Sequence, residues 1–168
     1  NHPSLVHNTI AGNGGNGITI SGTSISGNPV SPSLLANLVL GNTGFGMSVD
    51  GDPTTASNVT WMNDGGATDG FTPDASDQDM DPVLAEMDGG NFTPANDSPL
   101  VDAGIDMEFA SDSDASGSTR VTDGDGDGTA LADIGALELC PDLDGDGFDW
   151  AEDVDDQDPD GSRLDIGY

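Results

Sequence analysis

The sequence of 168 residues predicts an all-β protein built from stacked repeats, and three observations lead to this expectation. Glycine (25 residues) and proline (10 residues) are frequent, which favours many turns over long helices. Residues 3–51 contain a repeat at an offset of 29 residues. Each copy holds two short β-prone runs separated by Gly-Asn turns, and neither run shows helical periodicity. Because only 33% of the residues are apolar, the buried core must be thin.

The composition excludes several classes of protein. No run of 18 apolar residues occurs, so the sequence contains no candidate membrane-spanning helix. The chain has 32 acidic residues, two Arg and no Lys, which gives a formal charge of −30. Two Arg cannot neutralise a phosphate backbone, so nucleic acid is excluded as a partner. No basic segment followed by an apolar stretch opens the sequence, as expected of a mature, processed or partial chain.

The repeat is clearest between residues 3–22 and residues 32–51, where nine of 20 positions are identical. A weaker copy follows at residues 58–63. One copy cannot bury its apolar face alone, whereas stacked copies can pair strands between successive coils and fill the interior with Val, Ile, Leu and Met. We expect the repeated Asn residues at turns, with their amides bonded to stacked neighbours; they are Asn8/Asn37 and Asn13/Asn42. An antiparallel sandwich is the alternative, but the repeated Gly/Asn pattern favours the stack.

The end of the repeat and the stretch after it resemble the C-terminal region of secreted bacterial surface proteins with a right-handed parallel β-helix (the pectin-lyase-like fold). The residues that carry the resemblance are 37–51, Asp81-Pro82-Val83-Leu84, Asn91-Phe92, Ser98-Pro99-Leu100-Val101-Asp102-Ala103-Gly104 and Asp133-Ile134-Gly135-Ala136-Leu137-Glu138. It implies a short right-handed parallel β-helix over residues 1–70, a loop-rich cap over residues 71–139 that closes it, and a secreted context. Residues 140–168 then form an Asp-rich tail.

Acidic residues are concentrated in the second half of the chain. Residues 1–49 contain none, whereas residues 123–165 contain 16, with Arg163 as the one base. Three D-x-D-x-D-G hexapeptides occur there, at residues 123–128, 142–147 and 156–161. Calcium loops supply side-chain oxygens at positions 1, 3 and 5, a Gly at position 6 for the sharp turn and a backbone carbonyl at position 7. A solvated acidic tail is the alternative, but three copies of this pattern favour Ca²⁺ as the cofactor.

The flanks of these loops suggest further ligands. In the middle loop Phe148 supplies the carbonyl and Asp153 takes position 12, which resembles an EF-hand or dockerin loop with Asp in place of the usual Glu. The outer loops end in Asp-Ile-Gly, and we expect Asp133 and Asp165 to reach back to the ion. Residues 142–160 also resemble thrombospondin type 3 calcium repeats. The predicted metal ligands are Asp123, Asp125, Asp127, Asp133, Asp142, Asp144, Asp146, Phe148, Asp153, Asp156, Asp158, Asp160 and Asp165.

Other metals fit the sequence less well. Magnesium keeps its waters and seldom uses all-protein cages. One cysteine, Cys140, and two histidines, His2 and His7, cannot form a closed zinc site.

These features predict a structural protein that binds calcium and is extracellular or attached to a cell surface. We expect no enzyme, because lyases of the resembled fold use Arg or Lys as the base and hydrolases need paired carboxylates on the coils, where the first acid is Asp50. The alternative is a carbohydrate-binding or polysaccharide-cleaving module truncated from a longer β-helix, with a polysaccharide as its partner. Open strand edges and calcium loops predict a homo-oligomer or a head-to-tail fibre.

Overall fold

The structure is a computed structural model, which describes residues 2–22, 27–105 and 112–140. Within these ranges the chain is all-β, as predicted. The strands are β1 Ser4–Val6, β2 Thr9–Ala11, β3 Ile18–Ile20, β4 Ser33–Leu35, β5 Leu38–Leu40, β6 Phe45–Val49, β7 Thr54–Ala56, β8 Val59–Trp61, β9 Gly66–Asp69, β10 Gln78–Asp79, β11 Leu84–Glu86 and β12 Asn91–Pro94, with a 3-10 helix at Met87–Gly89. No helix among the described residues is long and apolar enough to cross a membrane.

The first nine strands form three successive trios, which we call rungs: β1–β3 are rung 1, β4–β6 rung 2 and β7–β9 rung 3. Each rung contributes one strand to each of three parallel sheets, in the orders β1-β4-β7, β2-β5-β8 and β3-β6-β9, and β10 extends the second sheet beyond β8. The register pairs Leu5 with Leu34 and Ile18 with Met47, which is the offset of 29 found in the sequence. The predicted pairing between successive repeats is therefore confirmed.

Each rung has three strands where the sequence predicted two runs per copy. The first run is divided by a corner residue in the left-handed backbone region: His7 (φ 51°), Ala36 (φ 50°) or Ser57 (φ 52°). Residues other than Gly, Asn and Asp seldom adopt this conformation, so the sequence carries no obvious signal for the corner. The sharp bend turns the strand that follows it into the second sheet.

An Asn follows the corner residue in every rung, and its side chain joins one rung to the next. Oδ1 of Asn37 accepts hydrogen bonds from the backbone N–H and Nδ2 of Asn8 at 3.1 and 2.9 Å. Asn37 donates in the same way to Asn58, and Asn58 donates to Oδ1 of Asp77. This series is the first Asn ladder, and it confirms that stacked neighbours bind the amides. A second Asn ladder consists of Asn13, Asn42 and Asn63.

Two apolar clusters lie on opposite faces of the second sheet. Val39, the middle residue of β5, packs between the three sheets with Leu34 and Met47. Its neighbours Leu38 and Leu40 point to the other face, because successive side chains of a strand alternate. There they pack with Leu100, Ile134 and other residues of the later chain. Since both faces are covered, β5 is buried at every position.

The described residues after β10 cover this outer face mostly as loops, apart from the antiparallel pair β11–β12. The hydroxyl of Ser98 donates to the carbonyl of Pro82 at 2.6 Å, and the backbone N–H of Ile134 donates to the carbonyl of Leu100 at 3.0 Å. The N–H of Gly135 then donates to the carbonyl of Ala36 in rung 2. The residues that carried the resemblance in the sequence therefore contact one another and the outer face of the sheet.

Candidate metal centre

Asp102 is placed beside the first D-x-D-x-D-G loop by the apolar anchor that precedes it. Leu100, two residues earlier, is fully buried in the outer cluster. Asp102 itself has a left-handed backbone (φ 53°), and its N–H donates to Oδ1 of Asp133 at 2.8 Å. These constraints turn its carboxylate toward the loop. Oδ2 accepts the N–H groups of Gly124 and Asp125, and Oδ1 accepts the N–H of Leu131.

Within the loop, each carboxylate accepts backbone N–H groups that hold the tight turns. Asp123 accepts the N–H of Gly126 through Oδ1 at 2.8 Å and that of Gly128 through Oδ2 at 2.9 Å. Oδ1 of Asp125 accepts the N–H of Asp127 at 2.9 Å. Gly126 (φ 73°) and Gly128 (φ 94°) adopt positive φ, which is the backbone freedom expected of glycine in this pattern.

Three carboxylates converge on one point of the loops after β12. Asp102, Asp123 and Asp125 each offer an oxygen atom, and these atoms all lie within 4.8 Å of one another. Asp102 and Asp123 are half-buried and Asp125 is exposed. We call this group the acidic triad.

The remaining predicted ligands of this loop lie elsewhere. Asp127 is exposed, and its Oδ1 accepts the N–H of Thr129 at 2.7 Å. Asp133 is 1% exposed, and both of its carboxylate oxygens accept backbone N–H groups, from Asp102 and from Leu139. Asp133 therefore braces the acidic triad from behind through the backbone of Asp102.

The other predicted ligands lie outside the described residues. They are Asp142, Asp144, Asp146, Phe148, Asp153, Asp156, Asp158, Asp160 and Asp165.

The acidic triad has the donor atoms that a hard cation requires. A carboxylate oxygen has two lone pairs, so an oxygen that accepts one N–H retains a lone pair for a metal. Both oxygens of Asp123, and Oδ1 of Asp102 and of Asp125, accept one N–H each. Oδ2 of Asp102 already accepts two, so Oδ1 is the oxygen that this residue has left for a metal. All the side-chain donors are oxygen, which suits calcium and does not suit zinc. Calcium takes six to eight oxygens, so carbonyls or water would complete the shell.

A buried ionic network holds the segment that braces the acidic triad. Nη1 of Arg120 donates to Oε1 of Glu138 at 2.7 Å, and both side chains are buried. Oε2 of Glu138 accepts the N–H of Asp133, and the N–H of Glu138 donates to Oδ2 of Asp114. Arg120 is thus engaged with Glu138 and leaves the three carboxylates of the triad without a basic partner among the described residues.

Burial changes the acidity of this network. Burial raises the pKa of Asp133 to about 6, against hydrogen bonds from Leu139 and Asp102 that lower it. Burial, followed by the charge of Asp133, raises the pKa of Glu138 to about 7, against the lowering effect of Arg120. Burial would also raise the pKa of Asp114, but hydrogen bonds from Glu138 and from the turn at residues 116–118 outweigh it, so the pKa of that carboxyl is lowered.

Asp102 is the member of the triad that the metal-loop pattern does not contain. It lies 21 positions before Asp123. A signal for it exists in the sequence, because it is the acid of the motif Ser98-Pro99-Leu100-Val101-Asp102-Ala103-Gly104. That motif predicts a closing loop, and only the fold brings it beside the D-x-D-x-D-G loop.

Comparisons with protein-family models, with curated proteins and with solved structures find no match to this chain.

Proposed function

We propose that this protein is a structural, extracellular module in which a short right-handed parallel β-helix is stabilised by calcium. The three parallel sheets, their register at the repeat offset and the two Asn ladders support the β-helix. The loop-rich chain that covers the second sheet acts as its cap. The rungs and the loops after them pack through two buried apolar clusters, as a structural role requires.

The acidic triad is the observation that carries the calcium part of the proposal. Three like charges within 4.8 Å repel one another when no cation lies between them. Calcium bound at the native triad relieves this repulsion and stabilises the folded chain by mass action. The two further D-x-D-x-D-G hexapeptides, at residues 142–147 and 156–161, would bind additional calcium ions.

An extracellular location agrees with the chemistry of such sites. Calcium sites of extracellular modules bind with dissociation constants of about 10⁻⁴ to 10⁻³ M, which the calcium outside cells can saturate. A partly exposed site with three carboxylates fits this weak class. With a formal charge of −30, the chain also gains from a divalent counter-ion.

Chelation of the full-length protein tests this proposal. Removing calcium should lower the melting temperature and expose residues 123–165 to proteases, while residues 5–49 in the rungs stay protected for longer. An identical proteolysis map with and without chelator would contradict the calcium role. The same experiment with magnesium in place of calcium shows whether the stabilisation is specific for the larger ion.

A further inference from the structure

The first rung forms one edge of each of the three parallel sheets. Strands β1, β2 and β3 each have a single neighbouring strand among the described residues. Leu5 and Ile10 point into the interior cluster but remain partly exposed, whereas Leu34 and Val39, which pair with them in rung 2, are 0% exposed. We call these edges, together with Asn8 and Asn13, the N-terminal face.

The two Asn ladders have a direction, which leaves the Oδ1 atoms of Asn8 and Asn13 at the N-terminal face. In every step the Asn of one rung donates its N–H and Nδ2 to Oδ1 of the residue in the next rung. Rung 1 donates to rung 2 through Asn8 and Asn13. No described residue donates to Oδ1 of Asn8 or of Asn13. Among the described residues, these two Oδ1 atoms are thus acceptors without a donor, whereas each ladder Asn of rungs 2 and 3 accepts from the rung before it.

The opposite end of the stack closes the first Asn ladder with a different residue. Oδ1 of Asp77 accepts both the N–H and Nδ2 of Asn58, at 2.9 and 2.8 Å. An ionised carboxylate has no proton to donate, so the ladder cannot pass beyond Asp77. In a head-to-tail fibre, the Asp77 end of one copy would face the open acceptor of Asn8 in the next. Two acceptor oxygens would then face each other, and the carboxylate of Asp77 would also carry a negative charge. This arrangement disfavours the contact.

We propose that the N-terminal face is the docking site for a further parallel β coil that carries Asn at the positions of Asn8 and Asn13. Such a coil would donate to both open Oδ1 atoms, pair with β1, β2 and β3, and bury Leu5 and Ile10. An uncharged edge suits this face, because residues 2–22 offer no acid, Lys or Arg to pair with a charge. This inference extends the structural role proposed above, but it concerns the rungs and does not depend on calcium.

Hydrogen exchange on an extended chain tests this inference. A second copy of residues 3–31 is inserted between His2 and Pro3, so that the added coil keeps the offset of 29 residues. The amides of β1–β3 should then exchange slower by about tenfold or more, because opening them requires the added coil to detach. The matched control is the same insertion with Asn8→Asp and Asn13→Asp in the added copy alone, and it should protect β1–β3 less. Amides of β5 serve as an internal reference for folding.

The same test can be made without changing the chain itself. A peptide with the sequence of residues 3–22 is added in excess to the unextended protein, and exchange of the β1–β3 amides is measured. Protection of β1–β3 by either probe, weakened by the Asp substitutions, supports the inference. Three results would overturn it: no protection by either probe, amides of β1–β3 that already exchange as slowly as those of β5 in the unextended chain, or head-to-tail filaments of that chain in electron micrographs. All these measurements are made in the presence of calcium. A negative result here would therefore contradict the added coil without contradicting the calcium role that chelation tests.

Discussion

The backbone N–H of Asp102 donates to Oδ1 of Asp133 across 2.8 Å, although 31 positions separate the two residues. This bond joins the loop after Leu100 to the segment that returns to the outer face of the second sheet. Oδ2 of Asp133 accepts the N–H of Leu139 in the same place. The buried carboxylate of Asp133 thus orients the backbone from which Asp102 extends its own carboxylate toward Asp123 and Asp125.

The first prediction concerns the first Asn ladder. Asn37 is 0% exposed, and its Nδ2 donates to Oδ1 of Asn58 and to the carbonyl of Leu5. In Asn37→Asp the donor becomes an acceptor that faces two acceptors. We expect the free energy of unfolding to fall by at least about 2 kcal/mol, since each buried group left without its partner costs about 1–3 kcal/mol. Urea unfolding measures the loss.

The control for this prediction is Asn91→Asp, which introduces the same charge. Asn91 is exposed, and its Oδ1 accepts the N–H of Thr93, a bond that an Asp retains. Its free energy of unfolding should change by less than about 0.5 kcal/mol, as is usual for surface substitutions. Equal losses in the two variants would show that the first Asn ladder does not stabilise the stack.

The second prediction concerns Gly135, where the segment after Leu131 contacts rung 1. Gly135 has φ +112°, and a Cβ placed on it would lie 2.9 Å from Oγ1 of Thr9. That hydroxyl also accepts the N–H of Ala136 at 2.9 Å, so it cannot move without breaking the bond. Gly117→Ala is a matched control, because Gly117 has φ +99° and open space around it.

Gly135→Ala should lower the free energy of unfolding by about 1–3 kcal/mol more than Gly117→Ala, because the added methyl group overpacks a closed contact. Both substitutions place a side chain at positive φ, so the difference between their free energies of unfolding reports the contact of the added methyl group with Thr9. Urea unfolding of both variants measures this difference. If the two lose the same free energy, Gly135 does not form a close contact with rung 1.

The third prediction concerns pH. Burial raises the pKa of Asp133 from 3.8 to about 6 and that of Glu138 from 4.5 to about 7. At a pH between the unfolded and folded pKa of either group, the folded chain binds more protons than the unfolded chain. The two carboxyls therefore make the free energy of unfolding fall as pH rises from about 4 to 7. Glu138→Gln should flatten the upper part of this slope.

Urea unfolding at a series of pH values, in the presence of chelator, measures the slope without a contribution from calcium. Glu86→Gln is the control, because Glu86 is exposed and its substitution removes the same charge. Parallel pH curves for the wild type and Glu138→Gln would show that Glu138 does not titrate in this range.

The sequence alone predicts the rungs better than the acidic triad. The identical positions of residues 3–22 and 32–51 specify the register, because one residue of slip would move Leu34 and its neighbours to the wrong face. The corner at His7 could not be predicted, since its left-handed backbone is imposed by the stacked rungs and not by its own preference. Asp102 was not predicted as a metal ligand, because only the packing of Leu100 and the bond to Asp133 bring it to the loop.

Calcium titration of Asp102→Asn tests the central claim most directly, because Asp102 lies outside every D-x-D-x-D-G hexapeptide. Isothermal calorimetry on the full-length chain gives the number of bound ions and their affinities, with Asp52→Asn as a control of equal charge change at an exposed Asp. We expect Asp102→Asn to lose one calcium ion, or to bind one about tenfold or more weakly, as for the loss of one charged ligand, while Asp52→Asn matches the wild type. Unchanged calcium binding by Asp102→Asn would contradict the site formed by Asp102, Asp123 and Asp125.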